Sequence, residues 1–174
     1  MTKFQRTFAM PSAWTFTIKP IRTLLVEYKA MGLEKKGIWV DPFAGKNSPA
    51  DITNDLNPKM PTDYHLDANV FAKQLEGEYD GVLFDPPYSY RQVTEHYATM
   101  GIKANRLDTS SNFYNRVMDN LYKKIKMGGL AISFGWNSNG FGKKRGFEII
   151  DGMLVAHGGH HNDTIVTIER KVNQ

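Results

Sequence analysis

The chain has no cysteine among its 174 residues. A disulfide framework, a zinc site built on thiolates and catalysis by a thiol nucleophile are therefore excluded. Long apolar runs are also missing: the longest are short pieces such as 81–84 and 130–132, far below the length that spans a membrane. Residues 1–6 lack an apolar segment followed by a small-residue cleavage site. We therefore expect a cytoplasmic protein with no membrane partner.

Charge and composition restrict the possible functions less strongly than the absence of cysteine does. The formal net charge is +4, which suits a polyanionic partner but is common in proteins that never contact nucleic acid. A hydrophobic fraction of 41% and a charged fraction of 23% are those of an ordinary globular protein. The length suits one domain with a real core, so we expect a single domain over 1–174.

The order of apolar runs predicts an α/β domain with a mostly parallel sheet, because short runs bounded by turn residues alternate with helical stretches. Helices are predicted over 21–31, 69–75 and 113–126, and strands over 37–40, 52–55, 79–84, 129–136, 149–156 and 165–170. The last two strands are joined by a short connection, which predicts an antiparallel pair. The polar segment 89–112 has weak periodicity, as is typical of functional or mobile loops.

The most informative motif is Asp85, Pro86, Pro87 and Tyr88, which follows the predicted strand 79–84. An acid at the carboxyl end of a buried strand lies where open α/β sheets bind ligands. The two prolines stiffen the turn and leave carbonyl oxygens as acceptors. A carboxylate, a carbonyl and an aromatic ring match an aryl amine such as adenine N6, with two N–H donors and a face to stack on.

Two consequences follow from that interpretation of the motif. Holding both amine hydrogens on one side favours a nitrogen whose lone pair faces an incoming methyl group. The amine is unreachable inside a stacked duplex, so the base must be extruded or already single-stranded. The alternative is that residues 85–88 form a rigid turn without any chemistry.

A second motif strengthens the first: Asp41, Pro42, Phe43, Ala44 and Gly45 follow the predicted strand 37–40. Together the two motifs resemble those of the amino-group DNA methyltransferases. The resemblance implies a Rossmann-like class I methyltransferase fold, with a mostly parallel seven-stranded sheet and a C-terminal antiparallel hairpin. It also implies that residues 41–45 cradle S-adenosyl-L-methionine. Glycine suits close approach of the backbone to a ligand, although 46–47 lacks the usual second glycine of that family.

Further cofactor contacts are implied by position along the chain. Asp55 resembles the acid that binds the ribose hydroxyls, and Asp67 with Ala68 matches the position that contacts the cofactor adenine. Near the N-terminus, Thr15 and Lys19 resemble contacts at the methionine end. Each also has a structural alternative: the acids as helix caps or turn residues, and the N-terminal segment as a helix cap with a hydrophobic staple.

The substrate is narrowed by the first residue of the catalytic motif. An aspartate at 85 is similar to the first motif residue of adenine enzymes. Cytosine N4 enzymes usually have serine at this position, and enzymes that methylate glutamine or guanine N2 tend to have asparagine. Methylation at cytosine C5 is excluded, because related families use a cysteine adduct. No separate target-recognition domain is expected. Candidate nucleic-acid contacts lie in the segments 89–112 and 137–146: Tyr90, Arg91, Tyr97, Lys143, Lys144 and Arg145.

The sequence therefore predicts an S-adenosylmethionine-dependent adenine N6-methyltransferase acting on DNA, similar to compact enzymes of phages and mobile elements and, by family, linked to restriction-modification. Two alternatives remain: an RNA (ribosomal) adenine methyltransferase and a non-catalytic nucleic-acid-binding subunit with the same fold. The basic triplet 143–145 also suits a solvated surface turn. The histidine-rich connection 157–163 is interpreted as a turn rather than a metal site, and no metal is expected.

Overall fold

A computed structural model describes residues 3–30, 37–89, 92–94, 98, 101 and 111–173. Its helices are α1 (Lys19–Ala30), α2 (Ala68–Gln74) and α3 (Ser111–Leu121). Its strands are β1 (Lys3–Phe8), β2 (Trp39–Asp41), β3 (Ile52–Thr53), β4 (Tyr79–Phe84), β5 (Ile125–Gly135), β6 (Phe147–Ala156) and β7 (Thr164–Lys171). Short 3₁₀ turns lie at Thr15–Thr17, Tyr122–Lys124 and Lys143–Arg145.

The strands form one seven-stranded sheet in the order β1-β6-β7-β5-β4-β2-β3. Neighbouring strands are parallel except where β7 meets β5 and β6, to which it is antiparallel. The predicted mostly parallel sheet and the antiparallel pairing of the last two strands are confirmed. Because six strands share one direction, the segments that follow β2, β3, β4 and β5 all emerge at the same edge of the sheet.

The seventh strand is not one that the sequence pattern indicated. It is β1 at the N-terminus, which pairs with β6 from Lys3↔Asp151 to Phe8↔Ala156. This edge strand leaves Phe4 and Phe8 exposed at 62% and 63%. Its polar residues and the absence of a buried apolar run concealed it, since tertiary pairing rather than local pattern defines such a strand.

Element boundaries also differ from the prediction. The helix predicted over 113–126 ends at Leu121 and continues only as the 3₁₀ turn 122–124. Strand β5 begins at Ile125, four residues before the predicted start at Gly129. The first helix begins at Lys19 rather than Ile21. The strand predicted over 52–55 is reduced to two residues, beyond which Asn54 forms an isolated bridge with Tyr64.

The core lies on both faces of the sheet. One cluster joins α1, through Ile21 and Leu25, to strand residues such as Ile132. The other joins α2 and α3, through Phe71 and Val117, to the opposite sheet face. This two-sided burial explains the near-continuous apolar runs of the central strands. Within the described ranges, no helix is both long and apolar enough to cross a membrane.

Candidate active site

The turn 85–88 leaves the carboxyl end of β4 and is fixed by side chains from its surroundings. The Gln92 carboxamide oxygen accepts hydrogen bonds from the backbone amides of Tyr88 and Ser89, at 2.7 and 3.2 Å. The Tyr114 hydroxyl, on α3, donates to the Pro87 carbonyl at 2.5 Å. The turn is therefore held by hydrogen bonds as well as by its two prolines.

The Asp85 carboxylate is partly buried at this turn. The Tyr88 hydroxyl donates a hydrogen bond to Asp85 Oδ1, and Thr15 also bonds to the carboxylate. Burial raises the pKa of Asp85, while the bonds from Thr15 and Tyr88 oppose that rise. Burial and the nearby Asp85 charge raise the pKa of the Tyr88 hydroxyl well above its ordinary value. Tyr88 is thus a neutral donor to Asp85 here, in addition to the stacking surface that the sequence predicts.

The loop 41–45 follows β2 and is shaped by Asp41, which is 0% exposed. Its Oδ1 accepts from the Phe43 amide at 2.9 Å, and its Oδ2 accepts from the Ser48 hydroxyl at 2.6 Å. Burial raises the pKa of Asp41 to about 7, opposed by those hydrogen bonds and reinforced by the charges of Asp85 and Asp55. Asp41 therefore positions the loop from beneath.

Gly45 closes this loop with a φ of +54°, in the left-handed region that favours glycine. A Cβ added there would lie 3.0 Å from Cζ3 of Trp14, so the position also requires close packing. The Gly45 amide donates to Asp55 Oδ2 at 3.1 Å, while Asp55 Oδ1 accepts from the Asn57 amide at 2.8 Å. Asp55 thus joins the loop after β2 to the segment after β3.

Asp67 is the N-cap of α2. Its Oδ1 accepts hydrogen bonds from the amides of Asn69 and Val70, at 2.9 and 3.3 Å. Asp67 and Ala68 also line the same cavity as the loop 42–45. The capping role that the sequence left open is therefore present, and it coexists with a position at the cavity wall.

Asn54 is a central residue that sequence reasoning missed. It is 0% exposed, and its side-chain amide donates to the carbonyls of Pro42 and Leu66 at 3.1 and 3.0 Å. Its Oδ1 accepts from the Leu66 amide at 2.9 Å. Asn54 thereby ties the loop after β2 to the segment that leads into α2. Its position beside Asp55 at the end of a strand was the only signal in the sequence.

One cavity of about 200 Å³ unites most of the predicted cofactor and catalytic residues. Its lining includes Thr15, Pro42, Phe43, Ala44, Gly45, Asp55, Asp67, Ala68, Asp85, Pro86, Pro87 and Tyr88. Two predicted residues do not line it: Asp41 lies beneath the loop, and Lys19 is exposed at the start of α1. The lining also includes residues that the sequence did not single out for this role, among them Trp14, Phe16, Phe113 and Tyr114.

The predicted nucleic-acid contacts are less well placed. Tyr90, Arg91 and Tyr97 lie outside the described residues. Lys143 and Lys144 are exposed on a 3₁₀ turn. The Arg145 guanidinium is instead used internally, since Nε donates to Asp119 Oδ1 at 2.8 Å and Nη1 to the Phe141 carbonyl at 3.0 Å.

The histidine-rich connection between β6 and β7 has a structural role at its start. His157 is 6% exposed, and its ring nitrogens bond to the Ala9 carbonyl at 2.8 Å and the Thr164 hydroxyl at 2.9 Å. Its backbone amide donates to Asp163 Oδ1 at 3.0 Å. Among the described residues, no group of three or more His, Asp or Glu side chains is placed to hold a metal ion.

The sheet and the helices on its two faces form the Rossmann-like class I fold that is found in methyltransferases. No family model and no curated protein matches the chain, so the likeness is one of structure. TrmN from Thermus thermophilus has a TM-score of 0.57 and 15% identity over 89% of this chain, which spans only 49% of TrmN.

Two further solved structures show the same fold. The Burkholderia thailandensis 1,6-didemethyltoxoflavin-N1-methyltransferase, solved with S-adenosylhomocysteine, has a TM-score of 0.59 and 12% identity over 89% of this chain and 78% of its own. NodS, an N-methyltransferase from Bradyrhizobium japonicum, has a TM-score of 0.56 and 10% identity over 89% of this chain and 96% of its own. S-adenosylmethionine is the cofactor of this methyltransferase fold.

Proposed function

We propose that this protein transfers a methyl group from S-adenosylmethionine to the N6 amino group of adenine in nucleic acid, with DNA as the substrate. One observation carries the proposal: the turn 85–88 and the loop 42–45 line the same cavity, together with Asp55 and Asp67. A polar turn suited to an aryl amine therefore meets a cavity suited to a nucleoside-containing methyl donor.

The lining of the cavity fits the donor by its chemistry. Asp55 offers a carboxylate to a vicinal diol, and Asp67 offers one beside a small residue, Ala68. The aromatic rings of Trp14 and Phe43 supply apolar walls. We assign the ribose to Asp55, the adenine to the region of Asp67 and Ala68, and the methionine end to Thr15 and residues 42–45. S-adenosylmethionine bound there supplies an electrophilic methyl group.

Asp85 and Pro86 act on the acceptor. The Asp85 carboxylate and the Pro86 carbonyl accept the two hydrogens of the exocyclic amine, and Tyr88 supports the base. The nitrogen lone pair is then directed toward the methyl carbon. Because the Tyr88 hydroxyl donates to Asp85 in the free protein, the incoming amine must share or replace that bond. Transfer would form the N–C bond as the bond between the methyl carbon and sulfur breaks, with the electron pair of that bond remaining on sulfur. The cationic nitrogen would then lose one of its two hydrogens as a proton in the direction of Asp85.

The proposal is tested by tritiated methyl transfer to unmethylated duplex DNA, single-stranded DNA and ribosomal RNA, followed by nucleoside analysis. We expect N6-methyladenine in DNA. Methylation of RNA alone would replace DNA by RNA as the substrate. Tight cofactor binding with no transfer to any nucleic acid would favour a non-catalytic subunit and refute the enzymatic proposal.

The substitution Asp85→Asn tests the assigned acid, because it removes the charge with little change in shape. We expect transfer to fall by at least about a hundredfold, in line with loss of a transition-state contact, while cofactor affinity stays within about threefold. Asp80→Asn is the matched control: Asp80 lies on β4, the strand that leads into Asp85, outside the cavity, and pairs with Lys126 at 2.9 Å. Equal losses of transfer and cofactor affinity in Asp85→Asn would show that Asp85 has been misassigned.

A further inference from the structure

A second and roomier cavity, of about 890 Å³, lies against the first. Pro86, Tyr88 and Tyr114 line both, so the turn after β4 is their common wall. The remaining walls are formed by α3, by the carboxyl end of β5, by the segment 136–143, by residues 147–149 of β6 and by Glu169 of β7.

The rim of this cavity carries an aromatic ring beside the turn. Trp136 is 45% exposed although it is a large apolar residue. Its ring centroid lies 5.8 Å from that of Tyr88, at an interplanar angle of 48°. An exposed indole next to a candidate catalytic turn suits stacking on a planar heterocycle, which is how proteins commonly hold unpaired nucleic-acid bases.

The floor of the cavity carries a hydroxyl with no partner. Ser133, on β5, lines the cavity and is 4% exposed. Its Oγ finds no hydrogen-bond partner among the described residues. A buried polar atom without a partner costs stability, so a ligand that reached the Ser133 hydroxyl would supply the bond it lacks.

The segment that forms the outer wall is held in place by Glu169. This carboxylate is 1% exposed and accepts hydrogen bonds from the amides of Phe141 and Gly142, at 2.7 and 2.8 Å. A Cβ at Gly140 would overlap the carboxylate, so the segment packs closely against it. The wall is therefore preformed, and the exposed Lys143 ammonium lies at its edge.

We propose that this second cavity holds the nucleotide that carries the target amine, with its base stacked on Trp136 and a polar edge of that base bonded to the Ser133 hydroxyl. Lys143 then faces the backbone phosphate. Asparagines and serines make up much of the polar lining, which also includes Lys143, Glu148 and Glu169, and their amide and hydroxyl groups suit a neutral base. This inference rests on the proposed function, since it assigns the acceptor to one cavity and the methyl donor to the other.

The first test uses Trp136→Ala and Trp136→Phe, with Met127→Ala as the control. Met127 is 53% exposed on β5, the strand that leads into Trp136, but lies outside both cavities. We measure KM for a single-stranded oligonucleotide, KM for the donor, and oligonucleotide affinity by fluorescence anisotropy with S-adenosylhomocysteine bound. Loss of one stacking contact should weaken oligonucleotide binding about tenfold or more, whereas the phenylalanine variant and Met127→Ala stay near wild type.

The second test uses Ser133→Ala, which removes only the hydroxyl. Without a ligand role, the substitution would relieve an unpaired buried group, so the melting temperature would rise and KM would not change. The proposal instead predicts an oligonucleotide KM raised about threefold or more by loss of a neutral hydrogen bond, in a protein at least as stable as wild type.

The outcomes separate the two proposals. If the wild-type protein methylates no nucleic acid, the proposed function fails and this assignment falls with it. If the wild type is active but both Trp136→Ala and Ser133→Ala bind the oligonucleotide normally, the second cavity is not the nucleotide site and the function stands. If Trp136→Ala loses donor affinity as strongly as oligonucleotide affinity, Trp136 only supports the common wall, which also overturns the assignment.

Discussion

The buried Asp41 carboxyl should make the free energy of unfolding depend on pH, and the substitution Asp41→Asn should remove that dependence. The pKa of Asp41 is raised from 3.8 to about 7 because the side chain is buried. Between those values the folded protein holds a proton that the unfolded chain has released. The free energy of unfolding must therefore fall as pH rises from about 4 to about 7, and this contribution is constant above that range.

The size of the effect follows from the same values. A difference of about 3 pH units between 3.8 and about 7 corresponds to about 4 kcal/mol, since one pKa unit is worth about 1.4 kcal/mol. Asp41→Asn cannot ionise, and its amide still offers an acceptor to the Phe43 amide and a donor to the Ser48 oxygen. The variant should therefore gain up to about 4 kcal/mol over wild type between pH 4 and pH 8.

Urea unfolding of both proteins at half-unit steps from pH 4 to pH 8 measures this difference directly. The difference between the two unfolding free energies isolates Asp41 from all other titrating groups. Parallel curves over the whole range would refute the buried, protonated carboxyl. Donor affinity at pH 6 should change by less than about threefold, because Asp41 lies beneath the loop and does not line the cavity. A large loss would restore Asp41 as a direct ligand.

Two further substitutions test how the smaller cavity, which we assign to the methyl donor and call the donor cavity, is built. Gly45→Ala should lower stability by about 1–2 kcal/mol through left-handed strain and weaken donor binding by crowding Trp14. Gly77→Ala, at a φ of +90° with open space around it, is the control and should show the backbone strain alone. Equal donor affinities in the Gly45→Ala and Gly77→Ala variants would contradict crowding of Trp14. Asn54→Asp places a carboxylate against the Pro42 and Leu66 carbonyls and should cost about 3 kcal/mol, measured by urea unfolding. An unchanged midpoint would show that these bonds contribute nothing.

The parts of the molecule that local pattern defines were predictable from the sequence. Strand β4 has the predicted bounds, Tyr79–Phe84, because a short buried apolar run ended by proline is unambiguous. The pairing of β6 with β7 followed from the shortness of their connection. Residues that follow parallel strands meet at one edge, so the convergence of 42–45 and 85–88 at one cavity also followed from the predicted topology.

The rest depended on contacts between distant residues. The role of Asn54 arises from bonds to carbonyls on either side of it in the chain, at Pro42 and Leu66, and an isolated asparagine gives no sign of them. Trp14 is fixed by its packing on Gly45, 31 positions along the chain. Arg145 was predicted as a nucleic-acid contact, with a solvated surface turn as the alternative, and nothing in the sequence indicated its ion pair with Asp119 on α3. Sequence spacing carries little information on such pairs.

The charges around the donor cavity support the choice of a cationic methyl donor over a neutral ligand. The lining includes the carboxyl groups of Asp55, Asp67 and Asp85, and its described residues include no Lys, Arg or His. Asp41, below the loop, has its pKa raised first by burial and then by the charges of Asp85 and Asp55. An excess of acids without a neighbouring cation is unfavourable in a partly buried site. A positive sulfonium would relieve that repulsion and the neutral thioether product would not. Under the proposed function, these carboxylates would therefore favour both binding of the donor and release of the product.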